Sequence, residues 1–81
     1  MTRVLLFGRL RDVAGWRERV IDPAPASLFG LKNLLAAEDL ALGEALAAAG
    51  VQAAVDKVLV RGDASLGAGA EVAFLSPMSG G

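Results

Sequence analysis

The sequence predicts an α+β domain, a mixed sheet packed on one main helix plus a short helix. Three observations carry that expectation. Short apolar runs with strand character stand near both ends of the chain, Val4-Leu5-Leu6-Phe7 and Val72-Ala73-Phe74-Leu75. Between them Leu28, Leu31, Leu34 and Leu35 recur at helical spacing and make one apolar stripe. Proline and glycine fall where the pattern changes, at Asp22-Pro23-Ala24-Pro25, at Gly50 and at Ser76-Pro77. With 81 residues there is room for a single domain, and 54% hydrophobic against 21% charged residues excludes a disordered chain.

The elements follow in order. Arg3 to Leu10 reads as a strand, broken by Asp12 to Gly15. Arg17 to Ile21 returns as its hairpin partner and is stopped by the Pro23/Pro25 pair, because proline cannot donate to a ladder. Ser27 is placed to cap a helix from Leu28 to about Glu38, which Gly30 weakens by about 1 kcal/mol relative to alanine. Gly43 to Ala49 forms a shorter helical set closed by Gly50. Gln52–Val55 and Lys57–Val60 are short strands joined around Asp56. A glycine-containing loop from Arg61 to Ala70 leads to a last strand, Glu71–Leu75. A hairpin, a helix and further strands around one small core is the β-grasp arrangement, in which the sheet packs one face on the helix and leaves the other open. Residues 1–75 form that domain and 76–81 a flexible Gly-Gly tail.

Strand alternation says what the open face carries. Val4 and Leu6 oppose Arg3, Leu5 and Phe7; Val58 and Val60 oppose Lys57, Leu59 and Arg61; Val72 and Phe74 oppose Glu71, Ala73 and Leu75. The purely apolar sides are expected to face the helix. Leu5, Phe7, Leu59 and Leu75 are then left on the other side, rimmed by Arg3, Lys57, Arg61 and Glu71. A set of apolar side chains with a charged rim marks a protein-binding surface.

Composition narrows the chemistry. Histidine, cysteine and tyrosine are absent, which excludes a Ser-His-Asp or Cys-His nucleophile, a His/Cys zinc site and a disulfide scaffold. The formal net charge of -1 gives no bulk reason to bind nucleic acid. Charge is unevenly spread: residues 1–20 hold five arginines and two acids, whereas 72–81 hold no charged side chain. The run Val4 to Phe7 is too short for a secretory leader, and Leu34 to Ala49 is interrupted by Glu38, Asp39, Gly43 and Glu44. A soluble cytoplasmic protein, off the membrane and off nucleic acid, with no metal or organic cofactor of its own, is expected.

The C-terminus carries the sharpest signal. The chain ends Phe74-Leu75-Ser76-Pro77-Met78-Ser79-Gly80-Gly81. Two glycines without side chains suit a channel too narrow for other residues. The reactive group is then the α-carboxylate of Gly81, ionised at neutral pH and a poor electrophile until another enzyme activates it, for example as an acyl-adenylate.

The segments Val4–Phe7 with Arg11-Asp12-Val13-Ala14-Gly15, Ala53–Val60, and Leu66–Gly81 resemble the small, sulfur-carrying subunit of molybdopterin synthase, the MoaD-type proteins of the ubiquitin-like β-grasp superfamily. The resemblance implies a mechanism. Gly81 is adenylated at the expense of ATP by an enzyme of the ubiquitin-activating kind, and a sulfur donor converts it to a thiocarboxylate. The tail, Pro77, Met78, Ser79 and Gly80, threads into the large synthase subunit. There the sulfur passes to a cyclic pterin precursor to build a dithiolene. The chain is thus the small subunit of a heterotetrameric sulfurtransferase and is not catalytic alone. The resemblance also implies that Phe7, Leu59 and Leu75 contact both partners and that Arg11 assists docking. Two positions depart from the family pattern: Leu75-Ser76 stands where a second aromatic and a second proline are common, which implies looser tail docking, and Asp56 stands where the turn often has Asn. Sulfur carriers of other pathways, such as the thiamine type, and ubiquitin-like protein modifiers share such a tail, and an inert binding module is the remaining alternative.

Overall fold

The computed structural model describes residues 1–77. In chain order the elements are β1 (Thr2–Phe7), α1 (Arg9–Ala14), β2 (Glu18–Ile21), α2 (Leu28–Glu38), α3 (Leu40–Leu46), β3 (Gln52–Val55), β4 (Val58–Val60) and β5 (Glu71–Leu75). They form one five-stranded sheet in the order β2-β1-β5-β3-β4. β1 and β5 pair in parallel, Val4 opposite Val72 and Leu6 opposite Phe74, and every other pairing is antiparallel. The first and last strands are therefore neighbours at the centre of a mixed sheet, as a β-grasp domain requires.

The alternation of β1 and β5 sets the core. Val4, Leu6, Val72 and Phe74 are 0–2% exposed and meet Leu28, Leu31 and Leu35 of α2, with Leu42 and Leu46 of α3 completing the layer. Full burial of each such side chain contributes about 1.5–3 kcal/mol. The α2 cap forms as the sequence predicts: Ser27 Oγ accepts from the Gly30 N–H at 3.0 Å.

Three expectations are corrected. The first strand does not run to Leu10. Gly8 turns the chain at φ 63°, ψ -137°, a region open in practice only to glycine, and Arg9–Ala14 then forms α1. The turn drops Leu10 into the core at 1% exposure, whereas a continued strand would carry it past the end of α2. The second helical set begins at Leu40, not Gly43, and ends at Leu46 rather than Ala49. Asp39 starts it by accepting from the Leu42 N–H at 3.1 Å, an N-cap that directly follows the end of α2. Finally, Val58 lies on the helix side of the sheet but is not covered by the helices. It is 63% exposed because β4 is an edge strand that reaches beyond the helices, while Val60 on the same side packs against the core.

The β3–β4 hairpin turns on Asp56 (φ 50°) and Lys57 (φ 71°), both left-handed. Two such residues between Val55 and its partner Val58 make a turn whose twist matches the strands. Asp56 is held there by two bonds to β5: its N–H donates to the Glu71 carbonyl at 2.8 Å, and its Oδ1 accepts from the Glu71 N–H at 3.0 Å. Lys57 has no such compensation among the described residues. Lys57→Gly is therefore expected to stabilise the domain by about 0.5–1 kcal/mol, the left-handed strain relieved less the added entropy of the unfolded chain. A denaturation midpoint that rises with unchanged slope checks it.

Candidate functional site

The face of the sheet away from the helices is built in rows by the strand registers. One row runs Glu18, Leu5, Ala73, Ala54, Leu59 across all five strands. The next runs Phe7, Leu75, Gln52. Phe7 and Leu75 are thus direct cross-strand neighbours, Phe7 47% exposed and Leu75 half-buried. Leu59, 59% exposed, lies on the edge strand, two strands from Leu75, or about 10 Å at the usual spacing. The four apolar residues share one face but do not form one cluster. Ala73 and Ala54 lie between Leu5 and Leu59, so the face has a low floor with large apolar side chains on either side. Alternation alone puts Ala73 on this side, whereas Ala54 escaped the sequence reading because a small residue carries no patch signal of its own. Only the register shows that they separate Leu5 from Leu59.

The charged rim divides into two ends. At one end Arg3 bridges Glu18 and Glu71, each at 3.3 Å, so its single positive charge is more than offset. At the other end Arg11, on the exposed side of α1, meets Arg17 at a shallow hollow also lined by Leu5, Phe7 and Glu18. Neither Arg11 nor Arg17 has a carboxylate within ion-pair distance among the described residues. The fold therefore brings Arg11 beside Phe7, which no sequence spacing showed. Lys57 lies in the β3–β4 turn, near Glu71, and Arg61 directly follows β4.

The exit of the chain from the sheet is also defined. β5 is paired on both sides through Leu75, with Phe7 on β1 and Gln52 on β3. The Ser76 hydroxyl then accepts from the Arg9 N–H at 3.1 Å and donates to the Phe7 carbonyl at 3.3 Å. Pro77 is exposed and lies against Gly50. Met78, Ser79, Gly80 and Gly81 fall outside the described residues. Sequence reasoning treated Ser76 as a departure from a family pattern; its partners became visible only when β1 and β5 were paired.

Among the described residues no group of three carboxylates is arranged to hold a metal ion, and no helix is long and apolar enough to cross a membrane. The one buried polar side chain among the described residues is the Thr2 hydroxyl, which has no acid or base partner, so the geometry offers a docking face and an emerging chain end.

Comparison with known proteins gives the same outline. No curated protein matches the chain. Among solved structures, the crystal structure of SAMP1 from Haloferax volcanii superposes with a TM-score of 0.83 at 23% identity, covering 99% of this chain and 98% of that one. The solution structure of the small archaeal modifier protein 1 from Methanosarcina acetivorans gives 0.85 at 20% identity, covering 99% and 95%. Both share the five-stranded β-grasp architecture. The model of the ThiS family matches residues 4–81, nearly the whole sequence and both strands that pair at the sheet centre, and the chain belongs to that family of ubiquitin-like sulfur carriers.

Proposed function

We propose that this chain is the sulfur-carrying small subunit of molybdopterin synthase, with the carboxylate of Gly81 as its working group. The observation that carries the reading is the continuous course from the central strand β5 through Ser76-Pro77 toward Gly80-Gly81, beside an exposed apolar row. The chain has no cysteine to hold sulfur on a side chain, so the backbone end is the available carrier.

A carboxylate oxygen of Gly81 attacks the α-phosphorus of ATP in an adenylating enzyme, and pyrophosphate leaves. Sulfide, supplied by a donor, attacks the acyl carbon; AMP leaves and a thiocarboxylate remains. In the large synthase subunit that sulfur attacks a carbon of the cyclic pterin precursor, the carbon–oxygen bond there breaks, and the oxygen leaves protonated. Water then cleaves the acyl–sulfur bond, leaving sulfur on the pterin and a carboxylate on Gly81. Two deliveries make a dithiolene, which suits two carriers on a dimeric large subunit in the cytoplasm, where ATP is at hand. Phe7, Leu59 and Leu75 supply apolar contact to both partners. Arg11, free of an intramolecular ion pair among the described residues, supplies charge for steering and register.

The similarity to small archaeal modifier proteins supports a second reading, in which Gly81 is joined to lysines of target proteins. A sulfur carrier of another pathway, such as that to thiamine, uses the same loading chemistry and differs only in its acceptor. One experiment separates these. Incubation with ATP, the cognate adenylating enzyme and sulfide is expected to exchange one oxygen for sulfur at Gly81, read by mass spectrometry. Addition of the large synthase subunit and cyclic pterin precursor then returns the carboxylate and yields the dithiolene. Isopeptide adducts in place of the exchange would support the modifier, and loading without pterin conversion the other pathway.

Removal of Gly81 is expected to abolish loading and to leave the unfolding transition where it is, since the core is complete without it. Phe7→Asp should likewise leave the transition in place, because the side chain is half-exposed, yet weaken binding to the large subunit at least about 10-fold by setting an unpaired charge in an apolar contact. Titration calorimetry with the large subunit measures it, and unchanged affinity removes the open face from the interface.

A further inference from the structure

We infer that Ser76 is a positioning residue, a clasp that fixes the direction in which the reactive tail leaves the domain. The inference rests on the reading of Gly81 as the reacting end. A strand that ends in the middle of a sheet normally releases its chain at the last ladder bond. Here the hold continues for two more residues. The Ser76 hydroxyl uses both its donor and its acceptor capacity on the β1–α1 turn, accepting from the Arg9 N–H and donating to the Phe7 carbonyl. Gly8, between those two groups, makes room for it: a Cβ at Gly8 would fall on the Ser76 hydroxyl. On the other flank Pro77 closes on the turn that leads into β3. A Cβ at Gly50 would stand 3.2 Å from Pro77 Cβ and 3.3 Å from its Cγ.

Two glycines at positive φ, one on each side, thus leave a slot that Ser76 and Pro77 fill. The fixed φ of proline carries the direction set by Ser76 into the following residue. Only four residues, 78–81, remain beyond the clasp, spanning at most about 14 Å when fully extended. With so short a reach, the heading at Ser76 decides whether the carboxylate arrives at a partner's reacting atom once the open face has docked. Docking and delivery are then separable: the face sets affinity, and the clasp sets how often the docked carrier presents its end in productive geometry.

Steady-state loading of the full-length chain, with the adenylating enzyme, ATP and sulfide, tests this. Ser76→Ala is expected to lower kcat roughly 3- to 10-fold while KM for the carrier stays within about twofold, since the contact face is untouched. Ser76→Thr, which keeps the hydroxyl, is expected to stay near wild type. In the isolated domain, hydrogen exchange at the Arg9 amide should accelerate in Ser76→Ala and the thermal transition should hardly move. If Ser76→Ala exposes the Arg9 amide yet loads with wild-type kcat, or if Ser76→Ala and Ser76→Thr load alike, the clasp does not position the tail and the inference is wrong, with the carrier reading intact. If KM alone rises, Ser76 belongs to the docking face and the inference again fails. If the wild-type chain itself takes up no sulfur, the carrier reading and the clasp fall together.

Discussion

The parallel pairing of β1 with β5 is the constraint on which the rest of the molecule depends. It joins the first strand to the last across almost the full length of the sequence. That contact forms against a large loop entropy. What repays it is burial: the pair brings Val4, Leu6, Val72 and Phe74 onto one side, all nearly inaccessible, over the leucines of α2 and α3. A one-residue slip of β5 against β1 would turn Val72 and Phe74 to the open face and send Ala73 and Leu75 inward, so the register is fixed by the core itself. The open face is the obligate counterpart of that choice. Phe7 meets Leu75 there because Leu6 meets Phe74 on the other side.

The same pairing explains how firmly the chain is held where it leaves the sheet. Terminal strands usually lie at sheet edges, where they fray. β5 instead lies between β1 and β3, bonded on both sides. The residues that follow it leave from the best-held part of the sheet and pass directly over the end of β1. The Phe7 carbonyl and Arg9 N–H stand within reach of Ser76 for no other reason than this topology. A tail attached to an edge strand would have neither flank to rest on.

Much of this was legible in the sequence, and the failures have physical causes. The β1, β5 and α2 assignments rest on periodicity over several residues, which burial on one side enforces. Ser27 announced its helix because a capping oxygen is a local chemical need. α1 was not legible. Arg9–Ala14 is one and a half turns long, and its single fully buried side chain, Leu10, extends the apolar run of β1 without a visible break. Gly8 was the signal, and a glycine inside an apolar run reads equally well as a strand residue. Val58 misled for a different reason: alternation gives the side of a sheet but not how far the helices cover it. Ser76 and the alanine floor at Ala54 and Ala73 depend on non-local register, which no local pattern encodes.

Charge completes the argument, because the arginines crowded into the first twenty residues divide by partner. Arg3 and Arg19 are paired, with Glu18 and Glu71 and with Glu38, on exposed surface where such bridges add little stability. The effect of the Arg3 pairs is to offset its positive charge at the end of the open face remote from the tail. Arg9, Arg11 and Arg17 have no such partner among the described residues, and all three lie on α1 or just after it, beside the exit of β5. The face is therefore polarised along its strands, with Arg3 offset by two carboxylates at one end and unpaired arginines among the described residues where the chain departs. Unpaired surface charge of one sign acts on encounter rate and orientation more than on final affinity. On the proposed reading, a partner surface that bears acids would be turned so that its acidic part meets the end from which β5 departs, beside Phe7 and Leu75. The unpaired arginines and the Ser76 hold on the departing chain thus stand at the same end of the sheet, and both follow from placing the last strand beside the first.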